Sequence, residues 1–252
     1  MYMRFLHLSV NPEAEKEFQQ YYKAVIIPEL QKMPGCKLVG LIKSGEESGD
    51  FISLTLWAEK SQAEDYEKGE VFQKLVAGVE KFLTETNEWK LQLSENLELE
   101  YGQSSEAMTK DDYAVAIKTN RGDFAPSEPK GMYIRIVSHK IQEGKTEEFK
   151  KIYSEEIIPA LHAVKGCRYV YLSEDMKEQN AFLSITIWDD KSFADEYETS
   201  GKFEELLLKL RHTFSKFYLW KIALEQDSKS KLKTSEDLKV DHYTLIEGKS
   251  FQ

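Results

Sequence analysis

At 252 residues and 41% hydrophobic content, the chain is long enough for one large domain or two of ordinary size, with enough apolar side chains for real cores. A formal net charge of −10 without a basic stripe works against a nucleic-acid partner, which needs clustered Lys and Arg to release phosphate counterions. No apolar run approaches the roughly 20 residues that span a bilayer, no small-residue cleavage site follows the start, and the two cysteines form no CxxC pair, so an unprocessed protein of the reducing cytoplasm is expected, with no membrane partner.

In chain order, MYMRFLHLSV alternates Tyr2 and Arg4 against Met3 and Phe5, which predicts a strand. EAEKEFQQYYKAVIIPELQKM then sets Phe18, Tyr22, Ile26 and Leu30 at helical spacing, with Pro28 expected to kink or restart the helix and Gly35 to turn the chain into the next strand. KLVGLIK and DFISLTLWAEK predict the second and third strands, the latter with Phe51, Ser53, Thr55 and Trp57 on one face. A single long second helix is expected from Ala63 to Leu83, and EWKLQLSE reads as a fourth strand. Polar stretches around DYAVAIK then read as linker, leaving a detached late strand near Tyr113.

The whole plan is then written a second time, with 131 positions separating Cys36 from Cys167. At that offset Arg4 meets Arg135, Tyr22 meets Tyr153, Ile26-Ile27-Pro28 meets Ile157-Ile158-Pro159, and Gly35 meets Gly166. Trp57 meets Trp188, Tyr66 meets Tyr197, and Trp89 meets Trp220. LWKIALEQ is the second copy's fourth strand, and HYTLIE, with Tyr243, its late one. The expected division is a first module over 1–118, a linker over 119–131 that includes the chance tripeptide Arg121-Gly122-Asp123, and a second module over 132–252. The order β-α-β-β-α-β in each copy is that of an α+β, ferredoxin-like module with helices on one face of an antiparallel sheet.

The pieces PGC and KGC, ISLTLWAEKSQAEDYEKGEVF and LSITIWDDKSFADEYETSGKF resemble the antibiotic biosynthesis monooxygenase family, over nearly all of both copies. Members of that family pair two small subunits sheet face to sheet face into an α+β barrel. The resemblance therefore implies that the tandem copies form the barrel within one chain, an intramolecular pseudo-dimer on which the strands near Tyr113 and Tyr243 dock late, with further homodimerisation left open; two lobes that each pair with another chain are the rival geometry. It also implies oxygenation of a small aromatic or quinol-like compound without metal or flavin, in a pocket for a small apolar or aromatic molecule. That chemistry needs an apolar cavity, a group to take a phenolic proton and donors to hold the anion.

Residues present in both copies that suit such a pocket are Arg4 and Arg135, Ser53 and Ser184, Thr55 and Thr186, Trp57 and Trp188, and Tyr66 and Tyr197. Each has a structural reading beside the functional one: core anchors for the tryptophans, rim ion pairs for the arginines, packing for the tyrosines. The five histidines never meet one another across the repeat; His7 faces Ser138 and His139 faces Leu8, so a histidine mechanism shared by both halves is excluded, and a single site using His7 or His162 is not. Haem-degrading members of the family carry an axial His on the second helix. Counted from the strand Trp, that position reads Val76 and Leu207, against haem cleavage. A non-catalytic ligand-binding or stress-associated barrel is the alternative, and Cys36 and Cys167 read as small buried residues at a strand start.

Overall fold

The computed structural model describes residues 1–44, 49–84, 89–93, 99–103, 108–120, 132–215 and 238–251. The segment LWKIALEQ, the tripeptide 121–123 and the polar stretch 226–237 lie outside them. In the first half, strand β1 (Tyr2–Ser9) leads to helix α1 (Glu15–Tyr21), a π-helical turn (Tyr22–Ile26) and α2 (Ile27–Gln31). Strands β2 (Cys36–Ser44) and β3 (Asp50–Trp57) follow, then α3 (Lys60–Lys68) and α4 (Glu70–Glu80). After a hairpin of β4 (Trp89–Leu93) and β5 (Leu99–Gln103) comes the long β6 (Met108–Asn120). The second half repeats the plan with β7 (Tyr133–Lys140), α5 (Thr146–Ile152), a second π turn (Tyr153–Ile157) and α6 (Ile158–Ala163). It closes with β8 (Cys167–Asp175), β9 (Ala181–Trp188), α7 (Lys191–Thr199), α8 (Lys202–Leu210) and β10 (Leu238–Ser250).

Local chemistry explains the first helix of each half. Pro28 and Pro159 have no amide hydrogen and crowd the preceding turn. The chain widens ahead of each one, the Ile27 amide reaching back to the Tyr22 carbonyl and the Ile158 amide to that of Tyr153. The proline then falls in the first turn of the next helix, where a missing donor costs nothing. Gly35 and Gly166 turn the chain into the next strand at φ +77° and +82°; at Gly166 a Cβ would also stand 2.4 Å from the Phe193 ring. The expected long second helix is two helices in each half, broken at Gly69 and at Gly201, whose φ of +79° no continuing helix allows.

All eight long strands close one antiparallel barrel in the order β1, β3, β2, β10, β7, β9, β8, β6 and back to β1. The expected pairing of the two sheets within one chain is thus what forms, but the stitching corrects the sequence reading. The strands near Tyr113 and Tyr243 dock on the barrel as expected, but as full members of it: β6 bonds β1 of its own half and then β8 of the other, and β10 bonds β7 and then β2. The stretch from Trp89 is not the fourth barrel strand but pairs only with β5. The bridging position needs a strand about 40 Å long to serve both half-sheets; β6 and β10 have 13 residues each and β4 has 5.

Closure removes every free edge from the barrel sheet. Its lumen is filled from both halves by side chains such as Met3, Phe5, Leu54, Ile136, Tyr171 and Ile185. The opposite face of each half-sheet packs on that half's own helices, giving two further cores, one around Phe18 and Trp57 and one around Phe149 and Trp188. The third strand therefore buries both of its faces, Ile52, Leu54 and Leu56 into the lumen and Phe51 and Trp57 against the helices.

Candidate ligand cavities

Between the helices and the outer face of each half-sheet lies a cavity. The first encloses about 540 Å³ and the second about 360 Å³, both counted to the mouth that opens on solvent. The two are one site written twice: thirteen residues line the first, and the residue 131 positions later lines the second in every case. Leu207 for Val76 and Leu210 for Val79 put longer side chains into the second cavity and narrow it. The walls are mostly apolar with a few polar groups, the make-up of a small-molecule site.

Of the residues expected from sequence, Arg4, Ser53, Thr55 and Tyr66 line the first cavity, and Arg135, Ser184, Thr186 and Tyr197 the second. Trp57 and Trp188 do not. Each is fully buried behind the wall, its indole N–H donating to the threonine two residues earlier at 3.0 and 2.9 Å. Each also packs its ring on the wall tyrosine, Trp57 on Tyr66 and Trp188 on Tyr197, with centroids 5.2 Å apart in both halves. The tryptophans hold the threonine hydroxyl and the tyrosine ring from behind the wall.

Sequence reasoning treated Tyr22 and Tyr153 only as helix core. They open the two π turns and reach the cavity wall, where Tyr22 Oη lies 2.7 Å from Ser53 Oγ and 3.2 Å from the Gly40 carbonyl it donates to. Tyr153 pairs with Ser184 in the same way. Burial pushes the phenols of Tyr22, Tyr66, Tyr153 and Tyr197 well above their ordinary value, so at neutral pH these are hydrogen-bond donors and not bases.

The arginines differ between the halves. Arg4 is held by the Ala63 carbonyl at 3.1 Å from Nη1 and by Glu67 at 3.0 Å from Nη2. Arg135 pairs through Nε with Glu198 and lays its guanidinium 4.0 Å from the Phe203 ring centre, leaving buried Nη2 without a hydrogen-bond partner. The histidine expectations also shift. His7 faces away from the cavity and pairs with Asp111 at 3.3 Å in a half-exposed position. His139, in the place of Leu8, lines the second cavity at 5% exposure, and neither ring nitrogen has a hydrogen-bond partner. Desolvation, reinforced by the Arg135 charge, brings its pKa down to about 3, so it is a neutral imidazole. The one clue in the sequence was the replacement of an apolar residue by a titratable one on the outward face of β7.

Haem does not fit this wall. The helix positions that would supply its axial histidine are Val76 and Leu207, apolar cavity residues without a donor atom. Among the described residues, no group of three or more His, Cys, Asp or Glu is arranged to hold a metal, and no helix is long and apolar enough to cross a membrane.

Compared with known proteins, the chain matches the family "Antibiotic biosynthesis monooxygenase" twice, over residues 1–78 and 132–207, together more than half its length. No curated protein sequence matches it. Among solved structures, a protein designated a monooxygenase from Fusobacterium nucleatum superposes with a TM-score of 0.68 at 8% identity, covering 99% of this chain and 94% of that one. Another so designated, from Lactobacillus acidophilus, gives 0.62 at 11% identity over 100% and 99% of the two chains. An anthrone oxidase-like protein gives 0.56 at 11% identity over 99% and 92%. At such identities these likenesses concern the fold.

Proposed function

Since the chain belongs to the antibiotic biosynthesis monooxygenase family, we propose that it oxygenates a small, electron-rich aromatic or quinol-like compound with dioxygen and without metal or flavin, in the cavities between helices and sheet. The observation that carries this reading is the retention, in both halves, of an apolar cavity containing a buried arginine, a tyrosine–serine pair and an oriented threonine. In such a pocket the substrate itself supplies the electrons. A ring C–H beside or opposite a phenolic oxygen becomes a quinone carbonyl, one oxygen atom of O₂ enters the product, and the other leaves as water with the two hydrogens lost. The anion formed when the phenol gives its proton to water at the cavity mouth is the species that reacts, and the guanidinium of Arg135, whose Nη2 has no other hydrogen-bond partner, stabilises it in a low-dielectric wall. The hydroxyls of Tyr66 and Tyr197 orient the ring by donating hydrogen bonds.

Aerobic incubation of the purified protein with a panel of hydroquinones tests the reading, with oxygen uptake above the no-protein background expected for at least one. No uptake for any of them would sink the oxygenase reading for this class. Binding without turnover is the competing reading, favoured by the first cavity, where Glu67 and the Ala63 carbonyl hold the Arg4 guanidinium.

A further inference from the structure

The duplicated cavities have diverged at the two places that matter for a polar ligand. In the first, Leu8 is apolar and the Arg4 guanidinium is occupied by Glu67 and the Ala63 carbonyl. In the second, Arg135 Nη2 and both ring nitrogens of His139 are buried without hydrogen-bond partners. An orphaned buried polar group destabilises the fold, and two of them on one cavity wall are a cost that a bound molecule would remove. A leucine at 139, as at position 8, would remove it without any ligand.

The geometry also says what kind of molecule. Arg135 and His139 are four residues apart on β7, on the face turned to the helices, so their backbones are separated by roughly 13 Å. Between and across from them the wall is mainly apolar, with Val137, Ile157, Leu161 and Leu206, and its hydroxyls beside Val137, those of Ser184 and Tyr153, pair with each other. A guanidinium only donates, whereas a neutral imidazole offers one donor and one acceptor nitrogen. The complementary molecule is flat and apolar in its middle, with an oxygen acceptor at one end and a hydroxyl at the other.

We propose that the second-half cavity is the one that binds such a two-ended hydroxylated aromatic, Arg135 Nη2 donating to the oxygen at one end and the His139 imidazole pairing with the hydroxyl at the other. The first cavity lacks both contacts and takes only less polar molecules. This deepens the oxygenase reading by assigning its ligand to one half, and it rests on that reading only for the aromatic class. His139 is here a binding residue, kept neutral by its burial beside Arg135.

The test compares 2,6-dihydroxynaphthalene, with hydroxyls at opposite ends, against 2-naphthol, with one, by anaerobic calorimetric titration of the full chain. The intact protein is expected to bind one equivalent of the diol about tenfold more tightly than 2-naphthol. His139→Leu should erase that preference while leaving 2-naphthol binding in place, and His139→Gln, which keeps a donor and an acceptor, should restore part of it. Should the leucine variant fail to fold, histidine-labelled intact protein gives the answer by NMR: one buried imidazole shifts with the diol and stays put with 2-naphthol. Equal affinities for the two compounds, an undiminished preference in His139→Leu, or no imidazole shift would each overturn the assignment. A diol preference lost in His139→Leu but without oxygen uptake supports this assignment and sinks the oxygenase reading. Oxygen uptake that His139→Leu leaves unchanged does the reverse.

Discussion

His139 makes a second demand on the molecule, through stability. Its imidazole stays neutral in the fold until about pH 3, while in the unfolded chain it takes up a proton below the ordinary value of 6.5. Between those limits the unfolded state binds more protons, so the contribution of this residue is complete above pH 6.5 and is lost as the pH falls toward 3. The slope of that loss is about 1.4 kcal/mol per pH unit. Urea unfolding at pH 7 and pH 5 should therefore show the intact protein losing roughly 2 kcal/mol more than His139→Leu; equal losses would mean that the imidazole is charged or exposed in the fold. Strand alternation was enough to put Ser53, Thr55 and Trp57 on one face, but it could not show that the Trp57 indole folds back onto Thr55 and leaves the wall to Tyr66. Tyr22 and Ser53 are 31 positions apart, and their pairing depends on the π turn that aims the tyrosine, which helical spacing cannot reveal. The cysteines were legible as buried residues at the start of a strand: Cys36 and Cys167 lie opposite Trp57 and Trp188 in the ladder, and burial pushes the Cys36 thiol up to about 12, far from a reactive thiolate.

Among the elements, the strands and helices repeated in both copies were the legible ones, because each carries its own apolar period. The role of β6 and β10 was not, since nothing in DYAVAIK or HYTLIE says which partners they bond; that depends on a second sheet coming from elsewhere in the chain. EWKLQLSE alternates well and was the natural candidate for a fourth strand, yet a five-residue β4 cannot bridge two half-sheets. The bridging role predicts a large effect from a small deletion. Removing residues 238–252 takes away β10 and leaves β2 and β7 with open edges, exposing lumen side chains such as Ile42 and Ile134. Loss of the cooperative thermal transition is expected, with light scattering reporting a mass above that of the intact chain. A truncated chain that melts and scatters like the intact one would show that β10 does not close the barrel.

At the scale of the whole molecule, the duplication solves a covering problem. A ferredoxin-like sheet has one face hidden by its helices and another that needs a partner, and the second copy supplies that partner within the same chain. The repeat at 131 positions made this much readable before any coordinates. What it hid was the divergence between halves, because identity across a repeat draws the eye to what is kept, such as Arg4 and Arg135, and not to Leu8 against His139. The lumen is filled by large side chains from both halves, and the two helix–sheet cavities lie outside it. The most direct test is a crystal structure of the full chain grown anaerobically with 2,6-dihydroxynaphthalene. The diol is expected between β7 and the helices α6 and α8, within hydrogen-bond reach of Arg135 and His139. A diol found instead in the barrel lumen, against Tyr113, Tyr169 or Tyr171, would contradict it.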